Sequence, residues 1–299
     1  MSGISVSGRT RVAAVIGDPV THSLSPAIHN AAFAALGLDW IYVALPVRRA
    51  RGSDAVRAIP DLGLAGMNVT MPHKADAARA CDQLSDDAAA LGSVNTVVPG
   101  HDGRLVGDST DGPGFVAALR EAGVEIEGGR ALVLGAGGAA RAVVLALGRL
   151  EASLVVAARR PEAARRAAAL APGGRAVSMG SLDLELSRAN LVVNATPLGM
   201  GGEGPPFRTE LLTPGHVVVD LVYAPLETVL LASARRLGAT PVDGLGMLVH
   251  QAALAFKAFT GWDAPVAAMR AAAREAIADR GGSGRADASR RPVPPGLPG

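Results

Sequence analysis

Lysine is almost missing from this chain: two of its 29 basic side chains are lysine, and arginine supplies the rest. Cysteine is scarcer still. Cys81 stands alone, so no disulfide framework can form, and a reducing cytoplasmic setting fits best. No motif around it marks a catalytic thiol. Aromatics are 3% of the residues, so any core must be built from Ala, Val and Leu. Net charge is only +2, and no block of Lys and Arg is interleaved with aromatics, which argues against a nucleic-acid surface. No uncharged apolar stretch reaches the roughly 18 residues of a membrane span. The apolar run nearest the N-terminus, residues 12–16, is too short for the core of a signal peptide. The six histidines (His22, His29, His73, His101, His216 and His250) lack zinc-ligand spacing, and no metal is expected.

What is present is apolar: 49% of 299 residues, enough to fill about two domains. Short Val- and Leu-rich runs alternate with helical stretches. Residues 12–16, 40–45, 65–69 and 96–99 read as strands, with a helix over 26–36. Strands interleaved with helices imply a parallel α/β architecture. From residue 130 the pattern sharpens. Strands are expected over 131–134, 154–157, 191–194 and 217–221, short and suited to burial on both faces, with a helix over 139–150. Two helices, 247–259 and 265–279, follow. Beyond Gly281 the composition turns to Gly, Ser, Arg and Pro, a tail that cannot bury enough apolar surface to fold.

One of the two lysines closes the run Asn68-Val-Thr-Met-Pro-His-Lys74. An ammonium can release its proton near neutral pH when its site lowers its pKa, and a guanidinium cannot. A lysine kept where arginine is the habit is a candidate proton shuttle. The competing reading is a chance survivor on a solvated helix. Asp111, in Gly107-Asp-Ser-Thr-Asp111-Gly112, is a candidate partner that would hold and tune that ammonium, or else simply the N-cap of the next helix. Asn95 can donate and accept at once, which suits neighbouring substrate hydroxyls. Ser23-Leu-Ser25-Pro26 reads as an N-cap serine followed by Pro at the first helical position; its two hydroxyls beside a helix start would also suit a small carboxylate.

Gly135-Ala136-Gly137-Gly138-Ala139-Ala140 follows one expected strand and opens one helix, the context a dinucleotide fingerprint requires. Gly135 permits the tight turn, Gly137 lets backbone approach a pyrophosphate, and the helix N-terminus favours the anion. About 20 residues on, where NAD sites usually carry an acid for the ribose hydroxyl, stand Ala158-Arg159-Arg160. Two guanidinium groups suit the 2′-phosphate of NADP, against the alternative of an Arg-rich surface turn. Asn194-Ala-Thr-Pro-Leu-Gly-Met200 ends a core strand, as a turn or as a contact to the cofactor.

In order and in wording, these blocks resemble the shikimate dehydrogenase family. The resemblance rests on His22-Ser-Leu-Ser-Pro26, the run closing on Lys74, Val94-Asn-Thr96, Ser109-Thr-Asp-Gly112 and the glycine turn. It continues through Asn194 to Met200, Val222-Tyr-Ala-Pro225 and Asp243-Gly-Leu-Gly-Met-Leu-Val-His-Gln251, and covers roughly residues 10 to 278. It implies reversible, NADP(H)-linked reduction of 3-dehydroshikimate to shikimate on the way to chorismate and the aromatic amino acids. By that analogy Ser23, Ser25 and Tyr223 hold the substrate carboxylate, and Thr70, Asn95 and Gln251 hold ring hydroxyls. Lys74 moves the proton on the reacting oxygen, with Asp111 bonded to it. Gly135 to Ala139 cradle the pyrophosphate, Arg159 and Arg160 face the 2′-phosphate, and Leu221, Gly244 and Asp86 lie toward the nicotinamide.

The resemblance also implies an α/β layout in two domains. Residues 1–110 form the substrate-binding domain and 111–244 a Rossmann domain; 245–281 return as helices to the first, and 282–299 are a disordered tail. The partner is a small-molecule substrate, with no nucleic acid and no membrane, in a monomer or homodimer. Ser109 stands where many members have Asn, Ala158 replaces the usual Asn of the strand end, and Ala163 stands where a second basic residue is common. Rival readings are a relative acting on quinate or aminoshikimate, one preferring NAD, or a non-catalytic dinucleotide sensor on the same fold.

Overall fold

The apolar runs assemble into two six-stranded sheets in a computed structural model that describes residues 6–100, 102–125 and 127–283. The first half of the chain runs β1 (Arg11–Gly17), α1 (Ser25–Ala35), β2 (Trp40–Pro46), α2 (Gly52–Arg57), β3 (Gly66–Val69), α3 (Lys74–Ala80), β4 (Gln83–Leu84), α4 (Asp86–Leu91), β5 (Thr96–Pro99) and β6 (Leu105–Asp108). The second runs α5 (Asp111–Glu121), β7 (Arg130–Leu134), α6 (Gly138–Arg149), β8 (Ser153–Ala157), α7 (Pro161–Ala168), β9 (Arg175–Val177), α8 (Leu182–Leu186), β10 (Leu191–Asn194), β11 (Val217–Asp220), α9 (Val229–Arg236) and β12 (Thr240–Val242). Helices α10 (Gly244–Thr260) and α11 (Val266–Ser283) complete it.

The second sheet is parallel throughout, in the order β9-β8-β7-β10-β11-β12. This is the doubly wound dinucleotide arrangement, whose strand order reverses between β7 and β10 and opens a crevice at the carboxyl ends of those strands. Each inner strand is a run of Val and Leu because helices cover both faces of the sheet.

The first sheet corrects the expectation of a parallel architecture. Its order is β2-β1-β3-β5-β6-β4; β1 pairs β2 and β3 in parallel, but β5 runs antiparallel to both β3 and β6. The short connection 100–104 between β5 and β6 cannot carry a helical crossover, so those two strands must form a hairpin.

The C-terminal helices come back to this first sheet. Val249, Phe256 and Phe259 of α10 and Met269 and Ala273 of α11 share one core with Ala13, Val15, Ile28, Phe33 and Tyr42. Helix α10 begins at Gly244, three residues before the expected start. Asp243 caps it, accepting from the N–H groups of Leu245 at 3.1 Å and Gly246 at 3.4 Å. Helix α11 runs to Ser283, past the change of composition at Gly281; the rest of the expected tail, and His101, lie outside the described residues. Between the sheets, Leu91 of α4 packs on Ala142 and Leu145 of α6. Arg149 on α6 pairs with Asp87 on α4, and Arg141 donates to the Leu91 carbonyl at 2.5 Å.

Candidate active site

The amino end of α3, the amino end of α5 and the strand end before β5 meet at one point. Lys74 is the first residue of α3, and its Nζ donates to Asp111 Oδ2 at 2.5 Å. Asp111 is the first residue of α5 rather than its N-cap, a place taken by Thr110. Its other oxygen accepts from Asn95 Nδ2 at 2.8 Å. Asn95 is buried; its Oδ1 accepts from the Thr110 N–H at 2.9 Å, which orients the amide so that it must donate toward Asp111. All three face a cavity of about 300 Å³ at the junction of the two sheets. Ser23, Ser25, Thr70, Tyr223 and Gln251 line the same cavity.

The serines reach it in a way the cap reading did not anticipate. Leu24 occupies the N-cap of α1 with no side-chain cap, and Ser23 Oγ accepts from the Ser25 N–H at 3.2 Å, closing a tight turn. Gln251 arrives because α5 and α10 cross at very short range. A Cβ on Gly114 would stand 2.7 Å from the Gln251 backbone nitrogen, so glycine there lets the helices approach. Tyr223 is partly buried, which raises its hydroxyl pKa, and the charge of Arg280 pulls it partly back.

The nucleotide side begins at the switch point of the second sheet. Gly135 ends β7 with φ of +111°, and a Cβ there would stand 2.7 Å from the Ala195 carbonyl oxygen; no other residue fits. Gly137 is the N-cap of the 12-residue α6, with no side-chain cap and open space around it. The first N–H groups of α6 are therefore free for an anion such as a pyrophosphate. Arg159 and Arg160 are exposed at the end of β8, and among the described residues neither forms an ion pair. These features fit a dinucleotide with a 2′-phosphate. Ala139, Leu221 and Gly244 reach the cavity itself, and the Lys74 stem comes within 3.9 Å of where a Cβ on Gly138 would stand. Lys74 and the start of α6 thus border one space.

Residues 15–97 match the family described as the shikimate dehydrogenase substrate binding domain, and 244–274 that described as the shikimate 5′-dehydrogenase C-terminal domain. A shikimate dehydrogenase (NADP(+)) of Methanopyrus kandleri is 45% identical over 286 residues, which cover 91% of this chain and 98% of that protein. The chain belongs to the shikimate dehydrogenase family. Among solved structures, a shikimate dehydrogenase in complex with NADP+ superposes with a TM-score of 0.87 at 36% identity, covering 93% of this chain and 99% of that one. The quinate dehydrogenase of Corynebacterium glutamicum in complex with NAD gives 0.84 at 33%, covering 89% and 99%.

Three residues of this family member escaped the sequence reading. Asn68, buried in β3, accepts from the Tyr42 hydroxyl at 2.6 Å and donates to the Asn95 carbonyl and to Thr96 Oγ1, both at 3.0 Å. It lines the cavity and stiffens the strand end that carries Asn95. An amide inside a strand otherwise apolar was the available signal. Asp18 also lines the cavity.

Asp220, fully buried at the end of β11, accepts from Thr228 Oγ1 at 2.7 Å, Asn194 Nδ2 at 2.9 Å and the Val222 N–H at 3.1 Å. It anchors the segment that presents Leu221 and Tyr223, while burial holds its own pKa above the usual range. Asn194, with both ends of its amide bonded to Asp220, Leu198 and Thr196, builds the turn after β10. Asp86 is exposed in the first turn of α4 and does not line the cavity. Among the described residues, no group of three or more His, Cys, Asp or Glu side chains is arranged to hold a metal, and no helix is long and apolar enough to cross a membrane.

Proposed function

We propose that this chain catalyses the reversible NADPH-dependent reduction of 3-dehydroshikimate to shikimate, in the route to chorismate. The observation that carries the reading is the Lys74–Asp111 pair on a cavity that also touches the start of α6. When bound, NADPH supplies the hydride. Reduction of a ketone leaves an oxyanion, and Lys74 donates the proton that quenches it; in the reverse direction it takes that proton back. Asp111 keeps the ammonium aimed at the reacting oxygen. Asn95, Thr70 and Gln251 hold ring hydroxyls, and Ser23, Ser25 and Tyr223 hold the carboxylate. The turn from Gly135 to Ala139 cradles the pyrophosphate, and Arg159 and Arg160 bind the 2′-phosphate. Leu221 and Gly244 border the nicotinamide end, with Asp86 an outer contact on that side. Residues 1–110 act as the substrate-binding domain, 111–244 as the nucleotide domain, and 245–281 as the returning helices.

The likeness to a quinate dehydrogenase supports one second reading, oxidation of quinate. The two arginines after β8, with Ala158 rather than a carboxylate at the strand end, favour NADPH over NADH in either case. The deciding experiment follows NADPH oxidation with 3-dehydroshikimate, with NADH, with quinate plus NADP+, and with Lys74→Ala in parallel. Fast turnover of 3-dehydroshikimate with NADPH and its loss in the variant are expected. Turnover of quinate alone would move the assignment to the second reading. Tight NADPH binding with no turnover of either ring acid would sink both and point to a dinucleotide sensor.

A further inference from the structure

Arg280 lies in the last turn of α11 and reaches across to the loop ahead of α1. Its Nη1 donates to the His22 carbonyl at 2.7 Å and its Nη2 to the Ser23 carbonyl at 3.3 Å, partners 258 and 257 positions away in the chain. Both partners line the cavity, and Ser23 is one of the two hydroxyls assigned above to the substrate carboxylate. The reach is held by packing: Met269 and Ala273 of α11 share a core with Ile28 and Phe33 of α1. The charge of the guanidinium is also felt at Tyr223, a third lining residue.

The charges around the cavity say why this matters. Apart from His22, its lining carries two carboxylates, Asp18 and Asp111, against one ammonium, Lys74. Lys74 is already paired with Asp111. Among the described residues, then, the wall that an entering carboxylate meets carries no unpaired cation. The hydroxyls of Ser23 and Ser25 and the start of α1 offer dipoles only. Arg280 stands directly behind that wall with a full charge and a two-pronged grip on the backbone that carries Ser23.

We propose that Arg280 is a positioning residue for the anionic group of the substrate, fixing the His22–Ser23 backbone and supplying the positive charge that the cavity lining lacks. The inference rests on the reading that this end of the cavity takes a carboxylate. It acts on binding of the ring acid and leaves the proton transfer at Lys74 and the nucleotide site untouched.

Steady-state kinetics on wild type, Arg280→Ala, Arg280→Gln and Arg280→Lys test it, with shikimate and its uncharged methyl ester as substrates and NADP+ as oxidant. In Arg280→Ala and Arg280→Gln the KM for shikimate is expected to rise about tenfold, the loss of one charge-assisted interaction. The kcat and the KM for NADP+ stay within about twofold, and Arg280→Lys, which keeps the charge but not the fork, recovers part of the loss. With the methyl ester, wild type and variants should differ little. Equal KM values for shikimate in wild type and Arg280→Gln would overturn the proposal. So would a parallel rise in every KM with a lowered melting temperature, or an equal loss on the ester, since either marks a purely structural role. A wild-type protein that turns over neither compound overturns the functional reading itself, an outcome distinct from these.

Discussion

Lys74 Nζ donates to Asp111 Oδ2 across 2.5 Å and 37 positions of chain, joining the first residue of α3 to the first residue of α5. The two sites are electrically alike, because each helix start carries a partial positive charge. Asp111 suits its position and Lys74 does not, so the ammonium is held there by the carboxylate rather than by its own helix. Removing either partner should therefore act on chemistry before affinity. Lys74→Met is expected to lower kcat by about 10² to 10⁴, with NADPH binding, followed by its fluorescence, unchanged. Asp111→Asn keeps a hydrogen-bonding shape beside Asn95 but loses the charge, and kcat should again fall more than the substrate KM rises. A variant of either residue with wild-type kcat would exclude the pair from the proton transfer.

Arg159 and Arg160 predict a cofactor-selective loss. Replacing both with Ser should raise the KM for NADPH by about 10² or more, two charge-assisted contacts being removed. The KM for NADH, which has no 2′-phosphate, should move little. Equal losses with both cofactors would mean that the arginines merely shape the β8 turn.

His29 predicts a pH dependence of stability. It is buried, stacks on Tyr42 with ring centroids 4.2 Å apart, and neither ring nitrogen has a hydrogen-bond partner among the described residues. Burial pushes its pKa down from 6.5 to about 3. Between those values the unfolded chain takes up a proton that the folded chain refuses. The contribution is fully present above pH 6.5 and is lost as the pH falls toward 3, by about 1.4 kcal/mol per unit. His29→Phe preserves the ring stack and has nothing to protonate. Its urea midpoint should fall less between pH 6.5 and 4.5 than that of wild type, and parallel curves would refute the assignment.

Gly114→Ala sets two effects against each other. Alanine in a helix is favoured over glycine by roughly 1 kcal/mol. Here, however, the new methyl group would meet backbone and Cβ of Gln251 at 2.7 to 2.9 Å, atoms that cannot swing aside. Overpacking of this kind costs about 1–3 kcal/mol. A net loss of stability with a raised substrate KM is expected, because α10 can yield only by moving Gln251. Calorimetry and kinetics on the same preparation would check both, and a stabilised variant with an unchanged KM would show that the crossing is slack.

Cys81 should be slow to react. Burial, with a smaller push from the charge of Asp82, takes its thiol up to about 11. Alkylation by iodoacetamide at pH 8 should be about a hundredfold or more slower in the folded protein than in urea, because little thiolate exists to attack. Equal rates in the two states would mean that the site is open.

Much of this architecture is written locally. The buried strands of the second sheet announce themselves as Val-Leu runs because both faces are covered, and Gly135 is legible because only one residue type fits its backbone. The eight residues named for substrate and proton, Ser23 to Gln251, lie on one cavity because their blocks sit at strand ends and helix starts, where α/β folds gather ligands. Strand direction in the first sheet is not local. It follows from the length of the connection between β5 and β6, and composition says nothing of it. Asn68 shows in sequence only as an amide inside an apolar strand and Asp220 as an ordinary strand-end acid, and it is their burial that makes them structural anchors. Arg280 is hidden twice, once among many arginines and once by the distance to its partners.

The return of α10 and α11 to the first sheet has a consequence for how the protein is made. The half of the molecule synthesised first is the half finished last. While a ribosome is still producing β7 to β12, the core between β1 and α1, around Val15, Ile28 and Phe33, lacks the side chains of α10 and α11, and the pocket lacks the wall that Gln251 provides. The second sheet, its strands and covering helices contiguous in the chain, has all its parts earlier. A nascent chain should therefore complete its second sheet before its first, in the reverse of their order along the gene. During that interval the exposed apolar face is a surface for chaperones or for aggregation.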